Sequence, residues 1–144
     1  MASRWTAPGF RLRYVIEDHS ARVTRFGWSP DGRSLAVPTR DGVVHIHDAA
    51  TGALRLQLPR ETHAVLGVAW SPDSRRLAGV APERGVVVWD GESGAVTHAS
   101  DHAASAVTSL AWSPCGRRLA VAIEHDDGAV ALWDVTGDGL TLVR

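Results

Sequence analysis

Trp28-Ser29-Pro30-Asp31-Gly32 decides how this chain is read, because the motif returns twice. It recurs as Trp70-Ser71-Pro72-Asp73-Ser74 and as Trp112-Ser113-Pro114-Cys115-Gly116, so the tryptophans stand 42 residues apart. Each copy leads to an apolar stretch closing on Asp48, Asp90 or Asp134, which lie 20, 20 and 22 residues beyond their Trp. Self-similarity at a fixed period of about 40 means a repeated supersecondary unit, and it outranks any local signal. Pro presets φ and Asp-Gly tolerates the positive φ of a tight hairpin. The motif reads as strand, turn, strand, three times over.

Outward from that turn, the first copy predicts strands over Val23 to Trp28, Ser34 to Val37, Val43 to His47 and Leu54 to Leu58. The second copy gives Val65 to Trp70, Arg76 to Val80, Val86 to Trp89 and Ala95 to Ala99. The third gives Ala106 to Trp112, Arg118 to Ala122, Ala129 to Trp133 and Leu140 to Val143, with its two-residue insertion at His125-Asp126-Asp127 in a turn. Short strands, turn signals at regular intervals and no helical period make an all-β meander of four-stranded antiparallel units. Val86-Val87-Val88-Trp89 is apolar on both faces, the pattern of a strand buried between two sheets. Ahead of the first copy, Phe10, Leu12, Tyr14 and Ile16 are spaced for one further half-buried strand. Residues 1–9 read as a leader, broken at Pro8-Gly9.

A length of 144 residues is that of one domain. The net charge of -1 gives no electrostatic argument for nucleic acid or an anionic membrane as partner. All 15 basic residues are Arg. The single Cys115 excludes an internal disulfide framework and a thiolate cluster. Neither an apolar signal-peptide region at the start nor a membrane-length apolar run is present, so a cytoplasmic setting is the expectation.

The W-S-P-D-G turns, the Trp89-Asp90 and Trp133-Asp134 pairs, and the preceding His19, His63 and His102 resemble the tryptophan-aspartate (WD) repeat β-propeller over roughly residues 10–144. That resemblance implies three four-stranded propeller blades plus the N-terminal strand, one partial propeller domain. Residues 1–18 would form the leader and extra strand, 19–60 blade one, 61–100 blade two and 101–144 blade three. Closed propellers have about 4–8 blades, so three imply an open arc. The arc would be completed by a homodimer or by missing blades of a longer chain. The resemblance also implies that Phe10 to Ile16 is like the outermost strand completing a ring's last blade. Trp28, Trp70 and Trp112 are expected in equivalent buried positions between blades. A buried set of His, hydroxyl, Asp and Trp is implied in each blade. Blade one offers His19, Thr39 and Asp41 but has His47 in place of the Trp; blade two offers His63 and Trp89; blade three offers His102, Asp127 and Trp133.

The residues offer little chemistry. His45 and His47 fall on one face of a strand at a spacing able to hold Zn or Cu, but no third ligand is apparent and His47 fills the repeat's Trp slot. Asp18-His19, Asp101-His102 and Glu124-His125-Asp126 pair acids with imidazoles, as general acid–base catalysis requires. They recur at equivalent turns without a nucleophile elbow and read as structural caps. No catalytic, cofactor-binding or metal-binding residue is assigned, and no cofactor. The function implied is a non-catalytic protein–protein interaction scaffold. A propeller-type hydrolase or metal-binding fragment using those His and carboxylate groups is the alternative. The implied docking rim carries His19, Arg40, Asp41, His63, Glu83, Arg84, His102, Glu124, His125 and Asp126. Its protein partner is unknown.

Overall fold

The serine of each W-S-P motif closes its own hairpin. Ser29 Oγ donates to Asp31 and accepts from the Ser34 amide, and Ser71 repeats this with Asp73 and the Arg76 amide. Ser113 Oγ accepts from the Arg118 amide and contacts Cys115 Sγ at 3.3 Å, the thiol standing where the other copies have Asp. Gly32 and Gly116 take φ of 72° and 69°; Ser74 adopts 62° at the same place, a conformation uncommon for a side-chain residue. The Ser74 hydroxyl accepts from the Asp31 amide of the preceding repeat at 3.0 Å.

A computed structural model describes residues 8–61, 63–82, 84–100, 107–123, 128–137 and 139–143. The strands are β1 (Gly27–Trp28), β2 (Ser34–Pro38), β3 (Val44–Asp48), β4 (Leu54–Gln57), β5 (Gly67–Trp70), β6 (Arg76–Ala81), β7 (Gly85–Asp90), β8 (Val96–Ala99), β9 (Val107–Trp112), β10 (Arg118–Ile123), β11 (Ala129–Thr136) and β12 (Gly139–Val143). They form three antiparallel sheets in sequence order, β1 to β4, β5 to β8 and β9 to β12. Each sheet is one blade, stacked on the next and open at its edges. No helix occurs among the described residues.

Alternation along β7 shows why the middle blade holds the core. Val87 and Trp89 join Ala36, Val44, Ile46, Leu58 and Trp70 in a cluster between blades one and two. Val86 and Val88 join Val107, Leu119, Val121 and Trp133 between blades two and three. A strand with apolar residues at every position is stable only when both its faces are covered, and β7 is buried from Gly85 to Trp89.

Three expectations need correction. Trp70 is 7% exposed and Trp112 half-buried, but Trp28 is 56% exposed. The reason is positional: Trp70 Nε1 donates to Gly27 O of blade one and Trp112 Nε1 to Ala69 O of blade two. Each indole needs a preceding blade, and none stands beside Trp28 among the described residues. Phe10 to Ile16 forms no strand, because no neighbouring strand offers it a ladder. It lies over blade one's outer face, where Tyr14 donates to Ala49 O and its ring stands on Gly52. A Cβ on Gly52 would come within 2.9 Å of that ring. β1 is also shorter than expected: Val23 still bridges Thr39 and the Thr24 amide still donates to Pro38 O, but Arg25 pairs with Gly67 of blade two and interrupts the ladder.

Trp70→Ala is therefore expected to cost about 3–5 kcal/mol, the range for deleting a buried large aromatic, while Trp28→Ala should cost about 1 kcal/mol or less. Urea unfolding of both variants checks this; equal losses would show that the indole's worth does not come from the preceding blade.

Candidate functional site

The loop rim is built from the turn between β2 and β3. Gly42 takes a φ of 86°, and a side chain there would collide with the Glu61 carbonyl. Around it, Asp41 accepts from the Thr39 and Ser20 hydroxyls and pairs with Arg60 at 3.3 Å. The Thr39 hydroxyl, then that of Ser20, holds the Asp41 carboxyl down at about 2. Gly42 O accepts from the Glu61 amide, and the buried Glu61 carboxylate pairs with half-exposed Arg84 at 2.8 Å. This chain of contacts ties the turn of blade one, the inter-blade linker and the turn of blade two.

Of the sequence-predicted rim residues, Asp41 and Arg84 are thus held within the fold, and His19 packs against β3. Arg40 is exposed and lines a shallow hollow of about 370 Å³ with Arg22 and Arg25. His63 is exposed. Glu83, His102, Glu124, His125 and Asp126 lie outside the described residues, as do Asp101 and Asp127. Glu61, Arg60 and Ser20 were not singled out from sequence; they lie in linkers, where no repeat position marks a charged or hydroxyl residue as a tie. On the opposite rim, Asp48 and Asp90 cap the turns after β3 and β7 through Thr51 and Ser93. Asp134 instead pairs with Arg118 at 3.0 Å, because β11 runs on to Thr136. Arg76 crosses to blade three, donating to Gly116 O and covering the Trp112 ring at 4.8 Å.

The implied blade-one set is half formed. Thr39 and Asp41 are joined, but His19 and His47 meet each other instead of them. His45 and His47 project to the outer face while Val44 and Ile46 point inward. The His19 ring stands edge-on to both, with centroids 5.1 Å and 5.3 Å away; the other two are 6.2 Å apart. His47 Nδ1 bonds Gly52 O, leaving Nε2 buried without a partner; His45 Nδ1 and His19 Nε2 are likewise unpartnered. No three acidic, His or Cys groups among the described residues converge as metal ligands. In blade two Trp89 Nε1 is buried and unpartnered too, so that set is also incomplete.

The decisive comparison is with family models. The WD40 domain of anaphase-promoting complex subunit 4 matches residues 10–73, and the WD domain, G-beta repeat matches 94–134. The chain belongs to the WD-repeat family. WD repeat-containing protein 1 of Mus musculus is 37% identical to this WD-repeat chain over 51 residues, which are 35% of this chain and 8% of that protein. A chain in the crystal structure of a mitotic checkpoint complex superposes with a TM-score of 0.78 at 31% identity, covering 90% of this chain and 40% of its own. The computationally designed Ika4 protein, at 23% identity, shares the fold with a TM-score of 0.74, covering 90% of this chain and 75% of its own. This WD-repeat chain thus spans a small part of the curated relatives it matches.

Two measurements test the rim. Arg84→Ala should cost about 1–3 kcal/mol, because it leaves a buried carboxylate unpaired, whereas Arg40→Ala should stay within about 0.5 kcal/mol; urea unfolding compares them. The folded pKa of Asp41 lies below its unfolded value of 3.8. Its stabilisation is therefore complete above that pH and lost as pH falls toward 2. Asp41→Asn should be less stable than the parent at pH 6, and the two should converge near pH 2.

Proposed function

We propose that this WD-repeat chain is a non-catalytic interaction scaffold whose two end blades are docking faces, completed head to tail by a second copy. The observation that carries this is the contrast between equivalent positions. Val86 and Val88 of blade two are 2% and 0% exposed beneath blade three, but their counterparts Val130 and Leu132 are 68% and 42% exposed. Trp28 stands uncovered in the same way at the other end. The acceptors Gly27 O and Ala69 O continue as Ala111 O in blade three, so Trp28 of one copy has a ready acceptor on Ala111 of another.

Such a contact is heterologous, and it closes into a ring only if the rotation allows. Two copies would make six blades, within the range of about 4–8. A blade face is four strands about 4.8 Å apart and five residues long, about 300 Å². Two such faces approach the roughly 800 Å² per partner of a standard interface. Blades from a longer propeller would satisfy the same faces, a reading favoured by the solved relative of which this chain covers 40%. The exposed free thiol of Cys115 suits a reducing, cytoplasmic setting.

Sedimentation equilibrium over micromolar concentrations, at pH 7.5 and 5.5, is the test. Dimer formation that Trp28→Arg and Leu132→Arg each weaken at least about tenfold is expected. A monomer at every concentration and both pH values would sink the second-copy reading.

A further inference from the structure

The three-imidazole cluster sits where the N-terminal segment meets the face that this reading makes a docking surface. By the 42-residue repeat, Tyr14 corresponds to Leu56 of β4 and His98 of β8. Tyr14 stands on Gly52 of blade one as Leu56 stands on Gly94 of blade two, and His98 reaches Thr136 O of blade three. Residues 10–16 thus occupy the strip that an outermost strand takes against the next blade. An incoming β12 from a second copy would need that strip.

Little holds the segment there. Phe10, Leu12 and Val15 are exposed, and the groove beneath is lined by Val23, Phe26, Leu35 and Val37. Its attachments include the Tyr14 bond to Ala49 and ring contact on Gly52, the Ser20 bond to Asp41 and the packing of His19 on His45 and His47. Segments with few buried contacts sit at the low-stability end of a fold. The imidazole packing requires uncharged rings: three nitrogens are buried without partners, and two charged rings at this separation repel.

We propose that His19 and His45, packed together on His47, form an acid-sensitive latch, pinning residues 10–19 over blade one at neutral pH and releasing them on acidification. The proposal rests on the docking reading for its biological consequence, access to the blade-one face. Burial first, and then the neighbouring imidazoles, lowers the pKa of His19 and of His45 below 6.5. Asp18 on the segment and Asp41 on the β2–β3 turn act oppositely but do not reverse the direction, and Asp41 is engaged by Thr39, Ser20 and Arg60. Because the pinned pKa values lie below the free one, pinning is fully favoured above 6.5 and weakens as pH falls through it. Each proton taken up on release raises the released-to-pinned ratio by up to about tenfold per pH unit in that window.

Tyr14 is the chain's single tyrosine, so incorporation of 3-fluorotyrosine places one ¹⁹F reporter on the segment. Between pH 7.5 and 5.5 the released-to-pinned signal ratio should rise at least about tenfold, with β-sheet circular dichroism unchanged. The double variant His45→Val/His47→Trp carries the blade-two residues and should flatten that response. His19→Gln should lose it as well. A pH-independent parent signal, an equal response in the double variant, or release that coincides with loss of the sheet signal would each overturn the latch. Sedimentation separates the two readings. Release without any association at pH 5.5 would leave the latch standing and refute the second-copy docking.

Discussion

Everything in this arc depends on one interlock: the indole at the end of a blade's first strand donates to a carbonyl of the blade before it. Trp70 reaches Gly27 and Trp112 reaches Ala69, at 3.1 Å and 2.9 Å. A buried donor that finds an acceptor avoids the cost of desolvation, and each of these two bonds fixes the sliding register of one blade on the next. The surroundings are shaped to the ring. A side chain on Gly91 would stand 2.5 Å from the Trp70 indole, and one on Gly27 would press the Val68 carbonyl at 3.3 Å. A repeat made this way contacts only its neighbours, and its stability is a sum of nearest-neighbour terms.

From that follows the uneven burial of the three blades. The middle sheet has a neighbour on both sides, so both faces of β6 and β7 are core. The end sheets have one neighbour each, and their far faces are left partly open. Those two faces differ chemically. Blade three keeps Val130 and Leu132 where the repeat demands apolar residues. Blade one replaces the counterparts of Val87 and Trp89 with His45 and His47 and lays a short segment across them.

The repeat made most of this legible from sequence. Equivalent residues imply equivalent hairpins, and the W-S-P turn, the strand ends at Asp48 and Asp90 and the doubly buried β7 all followed from period and alternation. What was not legible depends on where the series stops. Trp28 is chemically identical to Trp70, and local sequence cannot say that its indole stands uncovered. The alternation of Phe10 to Ile16 is that of a strand, but a strand exists only by pairing, and its partner is absent. The rim was read as one docking surface. Two of its residues, Asp41 and Arg84, are engaged by Ser20, Arg60 and Glu61, residues from linkers where the repeat imposes no pattern.

The replacement of the repeat's Trp by His47 gains its meaning from this geometry. An indole in that slot is permanently uncharged, and its burial against a neighbour does not vary with pH. The smaller planar imidazole packs in that slot against His19 and His45, the two rings whose charged forms burial disfavours. One such residue would make a weak dependence. Three in ring contact, on two elements that share few other attachments, couple the charge state of the cluster to whether those elements stay together. In blade two the same slot holds Trp89, whose indole is part of the core shared with blade one and carries no titratable group.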